Sequence, residues 1–337
     1  MQLKRRMVLA GAAAATAALA LPTTAQAVSS TSVVARAREF VALLSPAQRD
    51  VALFGFDDPL RARWNYFGAR PKPGLRLEQM RSDKQEAALG LLSELLDRDG
   101  MAKFDRVRVL QDVLAERGAG PSDRNAGRFS FALFGSPSDT DPWGLRVEGH
   151  HLSLSFTMRG NEVVSVAPSS FSSNPNAVRG GRHDGLVALR MEHEGAARLR
   201  RDLSARNAER ATIAARPFRN ILATAGREGR LFDAAPEGVA LGDLHPAQRD
   251  LALRLVETYA VDHLVAPLAA QQAARIREGD PETIRLGWAG GTEVGQQMYY
   301  RLHGPTFVIE LATNPPEPDH LHTIRHDPER HLGRHVV

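Results

Sequence analysis

The chain has 337 residues, with 43 lysines and arginines against 39 aspartates and glutamates, and no cysteine. Lack of cysteine excludes disulfides, thiolate nucleophiles and cysteine metal ligands, so a metal would have to be held by imidazole, carboxylate or backbone oxygen. The formal charge of +4 sits largely in the first 27 residues, whose three positive charges are unopposed; the remainder, at +1, carries no basic stripe of the kind a nucleic-acid partner or an anionic membrane surface requires.

Lys4-Arg5-Arg6 precedes an apolar, alanine-rich run from Met7 to Leu21, then Pro22 and Ala25-Gln26-Ala27. That is the three-part order of an export signal, which predicts cleavage after Ala27 and a soluble, extracytoplasmic, secreted protein. The apolar run is too short for a stable membrane anchor. Arg5-Arg6 followed by Met7-Val8-Leu9 also fits a twin-arginine address, which leaves two export routes open.

Residues 28–337 read as a single domain. Helical spacing runs from Val33 to Leu53, with a second start at Ser45-Pro46, an N-cap followed by proline at the first helical position. The segment Leu44–Leu53 is echoed by Leu244–Leu253, and one repetition of a helix start makes no solenoid. Helices are expected at Asp83–Leu96 and Phe104–Glu116. The pattern then alternates through Phe129–Phe134 and His151–Thr157, with Val163–Val166 returning after a Gly160-Asn161 turn. A long, charged helix is expected over Gly185–Arg216, and two more over Pro246–Tyr259 and Pro267–Glu278. Strands are expected at Thr283–Ala289, Gln297–Leu302 and Thr306–Leu311. Two strand blocks separated by helix blocks predict an α+β fold, with one antiparallel sheet and helices packed mainly on one face.

The chemistry gathers at Glu148-Gly149-His150-His151 and His320-Leu321-His322. Strand residues i and i+2 share a face, so His150 is expected beside Glu148 and His320 beside His322. His150, His320 and His322 are accordingly the expected metal ligands, with His151 left to touch substrate. Tyr299, Arg301 and His303 share a face of one strand, and Glu310 lies on the returning strand. Arg301 would suit a carboxylate or phosphate, and its plainer reading is an ion pair with Glu310. Glu148 or Glu310 would serve as general base. His183, His193, His245 and His263 stand singly, while His326, His331 and His335 read as solvated members of a basic tail. There is no G-x-S-x-G elbow, P-loop, dinucleotide fingerprint or H-E-x-x-H helix.

Tyr66, Phe134-Gly135-Ser136-Pro137, Trp143-Gly144, Glu148 to Ser153, Tyr299 to Pro305, Ile309-Glu310 and His320 to Thr323, followed by Arg325 and Asp327-Pro328-Glu329, together resemble the DUF3500 family over nearly the whole mature chain. His331 departs from the acidic residue expected in that tail. The resemblance implies no reaction. The residues themselves point to a metal-dependent enzyme using zinc or copper on a small-molecule or polymeric extracellular substrate, a hydrolase by default or an oxidase. The alternative is a non-catalytic binding protein for an anionic ligand. Oligomeric state has no signature in the sequence.

Overall fold

The structure, a computed structural model, describes residues 32–118 and 124–337, so the expected export signal lies outside the described residues. Among the described residues the strands are β1 (Leu53–Phe54), β2 (Leu75–Arg76), β3 (Ser130–Phe134), β4 (Pro142–Gly149), β5 (Leu152–Arg159), β6 (Glu162–Ser165), β7 (Ser169–Phe171), β8 (Thr212–Ala214), β9 (Val239–Ala240), β10 (Arg285–Gly290), β11 (Met298–Gly304), β12 (Phe307–Asn314) and β13 (Glu317–His326). They form one sheet, whose main path runs β1-β3-β4-β5-β7-β13-β12-β11-β10-β8. Both strand blocks thus belong to the same α+β unit. The sheet is mixed, not purely antiparallel, because the short strands β1 and β8 at its two ends run parallel to β3 and β10.

Period-two alternation sorts the sheet into two faces. Phe131, Leu133, Leu145, Val147, Leu154, Leu302, Ile309 and Leu311 point to one side. They join a core with Phe40 of helix α1 (Val33–Leu43), Leu91 of α3 (Ser82–Ser93), Phe104 and Val107 of α4 (Arg98–Glu116) and Leu255 of α8 (Pro246–Ala260). The intervening residues Arg146, Glu148, Ser153, Arg301, Glu310, His322 and His326 are polar, yet almost wholly buried. Irregular chain covers this second face, and Trp64, Tyr66 and Ile221 pack there on Tyr299, Ala312 and Ile324. Burying a polar face costs free energy unless every group finds a partner, so the partners on this face are informative.

Local chemistry explains the helix boundaries. In α2 (Pro46–Ala52) Ser45 Oγ accepts the Gln48 amide, while Gln48 Oε1 accepts that of Ser45. At the echoed position, α8 begins with the His245 amide donating to Gln248 Oε1. The single helix expected over 185–216 is divided. A π-helical turn (Met191–Gly195) leads into α5 (Ala196–Asp202), and Ser204 then caps α6 (Ala205–Ala211) through the Asn207 amide, because a serine that satisfies a new helix start ends the old one.

The two strand blocks meet along a seam between β7 and β13. Ladder pairing there is short, with Arg325 opposite Ser169 and a bridge between Ser173 and Leu321. Side chains supply the remainder: the Thr323 amide donates to Ser172 Oγ at 3.0 Å, and Thr323 Oγ1 donates to the Phe171 carbonyl at 2.6 Å.

Candidate metal centre

β4 and β5 form a hairpin in which Gly149 pairs with Leu152, so His150 and His151 are its two-residue turn. His151 has φ 68°, an uncommon conformation for a residue with a Cβ. It is held from both sides: the His151 amide donates to the Tyr66 carbonyl at 2.8 Å, and the His151 carbonyl accepts the Ser172 amide at 2.8 Å. Backbone held in this region by surrounding bonds is a recurrent mark of functional sites. The expectation that His150 points into the site with Glu148 is corrected here. Strand alternation ends at Gly149, and the left-handed turn carries His151, not His150, to the other histidines.

His151 Nε2 lies 2.9 Å from His320 Nε2, and one ring nitrogen each from His151, His320 and His322 falls within 4.8 Å of the others. His320 and His322 share a face of β13, as the i, i+2 spacing predicts. His322 Nδ1 lies 2.9 Å from Asn220 Oδ1, which also accepts the Ile221 amide and the Tyr66 hydroxyl. An amide N–H can only donate, so the Asn220 atom is the oxygen and His322 carries its hydrogen on Nδ1. The Nε2 lone pair of His322 is thereby left to the cluster. His320 Nδ1 is flanked by the Asn174 and Asn314 amides, at 3.2 and 3.3 Å, with Glu317 Oε2 at 3.6 Å.

Burial pushes all three imidazoles down: His322 to about 3, His320 to about 4, and His151 well below its ordinary value, with the neighbouring rings adding to the effect for His151 and His322. All three are therefore neutral at pH 7, the form that ligates a metal. His150 is held to about 2 by burial and then by Arg124, which makes it a poor proton acceptor at neutral pH. Its ring stacks on His151 at 3.7 Å between centroids, and its Nδ1 meets Gln111 Oε1 at 2.7 Å. Gly68 admits this ring, since a Cβ there would stand 3.2 Å from it.

The remaining expected residues lie on the same polar face, engaged elsewhere. Glu148 Oε1 accepts the Asn65 amide at 2.7 Å and Ser153 Oγ at 2.9 Å, with Arg146 Nε at 3.8 Å; burial pushes its carboxyl up, against the pull of Arg146 and these donors. Glu310 accepts the Leu222 and Ala223 amides at 2.7 and 2.9 Å and the Tyr299 hydroxyl at 2.8 Å. Burial pushes the Glu310 carboxyl up as well, opposed by these three donors and by Arg301. Arg301 pairs with Glu237, not with Glu310. His303 sits opposite Val308, four residues along β12 from the Ala312 that faces His322, which at strand rise is about 13 Å away from the cluster. Of the nine expected site residues, the structure joins His151, His320 and His322, keeps His150 in ring contact, and places the other five outside the cluster.

Sequence reasoning missed Asn220 and Glu317, whose segments carry no periodic signal, and Gln111, which falls in an expected helix where spacing marks a face but not a partner 39 residues away. It also misplaced the tail. His326 and His331 are buried, not solvated: His326 Nε2 donates to the Ala223 carbonyl at 2.9 Å, and the two Nδ1 atoms are 3.4 Å apart.

Fold and site define an α+β protein with a cluster of three neutral imidazoles, those of His151 and His322 buried and that of His320 half-buried. About 3.4 Å between nitrogens is what a tetrahedral ion at 2.0–2.1 Å from each requires, close to the spacing here, so the residues fit a metal. The family described as protein of unknown function (DUF3500) matches residues 26–334, and the chain belongs to it. No curated protein and no solved structure matches the chain.

Proposed function

We propose that this is an exported metal-dependent enzyme whose His151, His320 and His322 hold one divalent ion, zinc or copper, with hydrolysis of an extracytoplasmic substrate as the default chemistry. The observation that carries the reading is the convergence of three ring nitrogens, two on buried imidazoles and one on the half-buried His320, from two distant stretches of chain. Three protein ligands leave a coordination position open, the arrangement of catalytic rather than structural zinc sites, and zinc there would supply Lewis acidity and activate water near pH 7. Copper would suit the all-nitrogen donor set equally and would favour oxidation. The protein's own contribution is orientation: Asn220 sets the His322 tautomer, and Glu317 stands beside His320.

Metal analysis of the mature chain tests the reading. One ion per chain is expected, lost in His151→Ala and His322→Ala and retained in His150→Ala, with circular dichroism to show that each variant folds. A wild-type protein that neither carries nor takes up zinc or copper sinks it. Export is tested by the mass of the secreted form, which should begin at Val28; Arg5→Lys with Arg6→Lys should block export only on the twin-arginine route.

A further inference from the structure

Beside the cluster lies a second cleft of about 500 Å³. Arg70, Arg219, Arg227 and Arg230 line it, and no aspartate or glutamate does. None of these four guanidinium groups has a carboxylate partner among the described residues, and all four residues are exposed. Glu228, next in sequence to Arg227, lines a different cavity, where it accepts the Trp64 indole at 2.9 Å and faces His331 at 3.7 Å. The floor is aromatic: Phe67 carries the Arg70 guanidinium over its ring at 4.9 Å, and Phe218 packs edge-on against Tyr299. Phe67 also meets the His322 ring edge-on at 6.3 Å, and the Asn220 that lines the cleft is the one bonded to His322. Cleft and histidine cluster therefore share a wall.

Four like charges around one concavity raise a positive potential that attracts anions, and planar guanidinium forks match phosphate and carboxylate oxygens in pairs. The volume lies within the range of small-molecule sites. We propose that this cleft binds the anionic end of a small organic ligand, a phosphate or carboxylate on an aromatic or apolar body, next to the three-histidine cluster. The inference rests on the metal-enzyme reading only in so far as it names the substrate class; the charge of the cleft does not depend on a metal.

The test is calorimetric titration of the chelator-treated mature protein with phenyl phosphate, benzoate and phenol. Phenyl phosphate or benzoate should bind at least about tenfold more tightly than phenol, and the tighter of the two identifies the anion. Raising the salt should weaken that binding, since ions screen exposed charges. The Arg219→Ala, Arg227→Ala double variant should weaken it by about tenfold or more while still taking up zinc, because exposed arginines that touch none of the three histidines leave the cluster intact. Binding of both anions no tighter than that of phenol, or unchanged binding of the tighter anion in the double variant, overturns the proposal. A protein that takes up zinc but binds neither anion defeats the cleft alone, and one that binds the anion but no metal defeats the metal reading alone.

Discussion

Glu310→Gln separates a positioning carboxylate from a catalytic one. Three donors converge on Glu310, two of them the backbone amides of Leu222 and Ala223, which follow Asn220 in the chain. Glutamine keeps one carbonyl oxygen for Leu222 and Tyr299 but sets an NH₂ group against the Ala223 amide. A charge-assisted hydrogen bond is worth about 1.5–3 kcal/mol, and leaving buried donors unsatisfied costs about 1–3 kcal/mol; relief of carboxylate burial offsets part, for a net loss of roughly 2–4 kcal/mol. At about 2 °C per kcal/mol for a chain of this size, thermal unfolding should fall by roughly 4–8 °C. Release of the 220–223 segment should also loosen Asn220 from His322 and weaken zinc about 10- to 100-fold in a chelator competition, the usual effect of removing an outer-shell support. A variant with wild-type melting temperature and zinc affinity refutes this reasoning, and loss of turnover in such a variant would restore Glu310 as a proton carrier.

Acid should destabilise the fold through its neutral histidines. His303 and His326 are held to about 4 and His322 to about 3, chiefly by burial, whereas the unfolded chain takes up protons near pH 6.5. Stability is thus fully present above about pH 6.5 and falls as pH drops towards the folded values, by up to about 1.4 kcal/mol per unit for each histidine. Melting temperatures that are equal at pH 7 and pH 5 would contradict this, and the stabilisation given by added zinc should shrink over the same range as protons compete for the nitrogens. Gly149→Ala places a Cβ 2.2 Å from the buried Phe129 ring, so urea unfolding should show a loss of about 1–3 kcal/mol; an unchanged midpoint would mean that the ring yields freely.

The pairing of His320 with His322 was legible because period two is a local property of extended chain, and β13 is extended there. The choice between His150 and His151 was not, since it turns on where β4 stops, and a left-handed histidine leaves no mark in an alternating pattern. The same limit explains Arg301. Its face on β11 was read correctly, but its partner Glu237 comes from an irregular segment that no periodicity brings near. Capping chemistry at Ser45-Pro46 and Ser204 operates within a few residues and could be read at the first and overlooked at the second, where charged periodicity continued across the break. The buried tail histidines were misjudged because composition describes solvation only when no other segment folds over it.

The seam between β7 and β13 gives the cluster a mechanical meaning. His151 belongs to one half of the sheet and His320 and His322 to the other, so the nitrogens are neighbours only while the halves are joined. An ion bound there would act as a rivet across a join held by one ladder pair and one isolated bridge. Its removal should then register first as faster proteolytic nicking on either side of that join, before any loss of helical signal, because local opening along a weakly paired line needs less free energy than global unfolding.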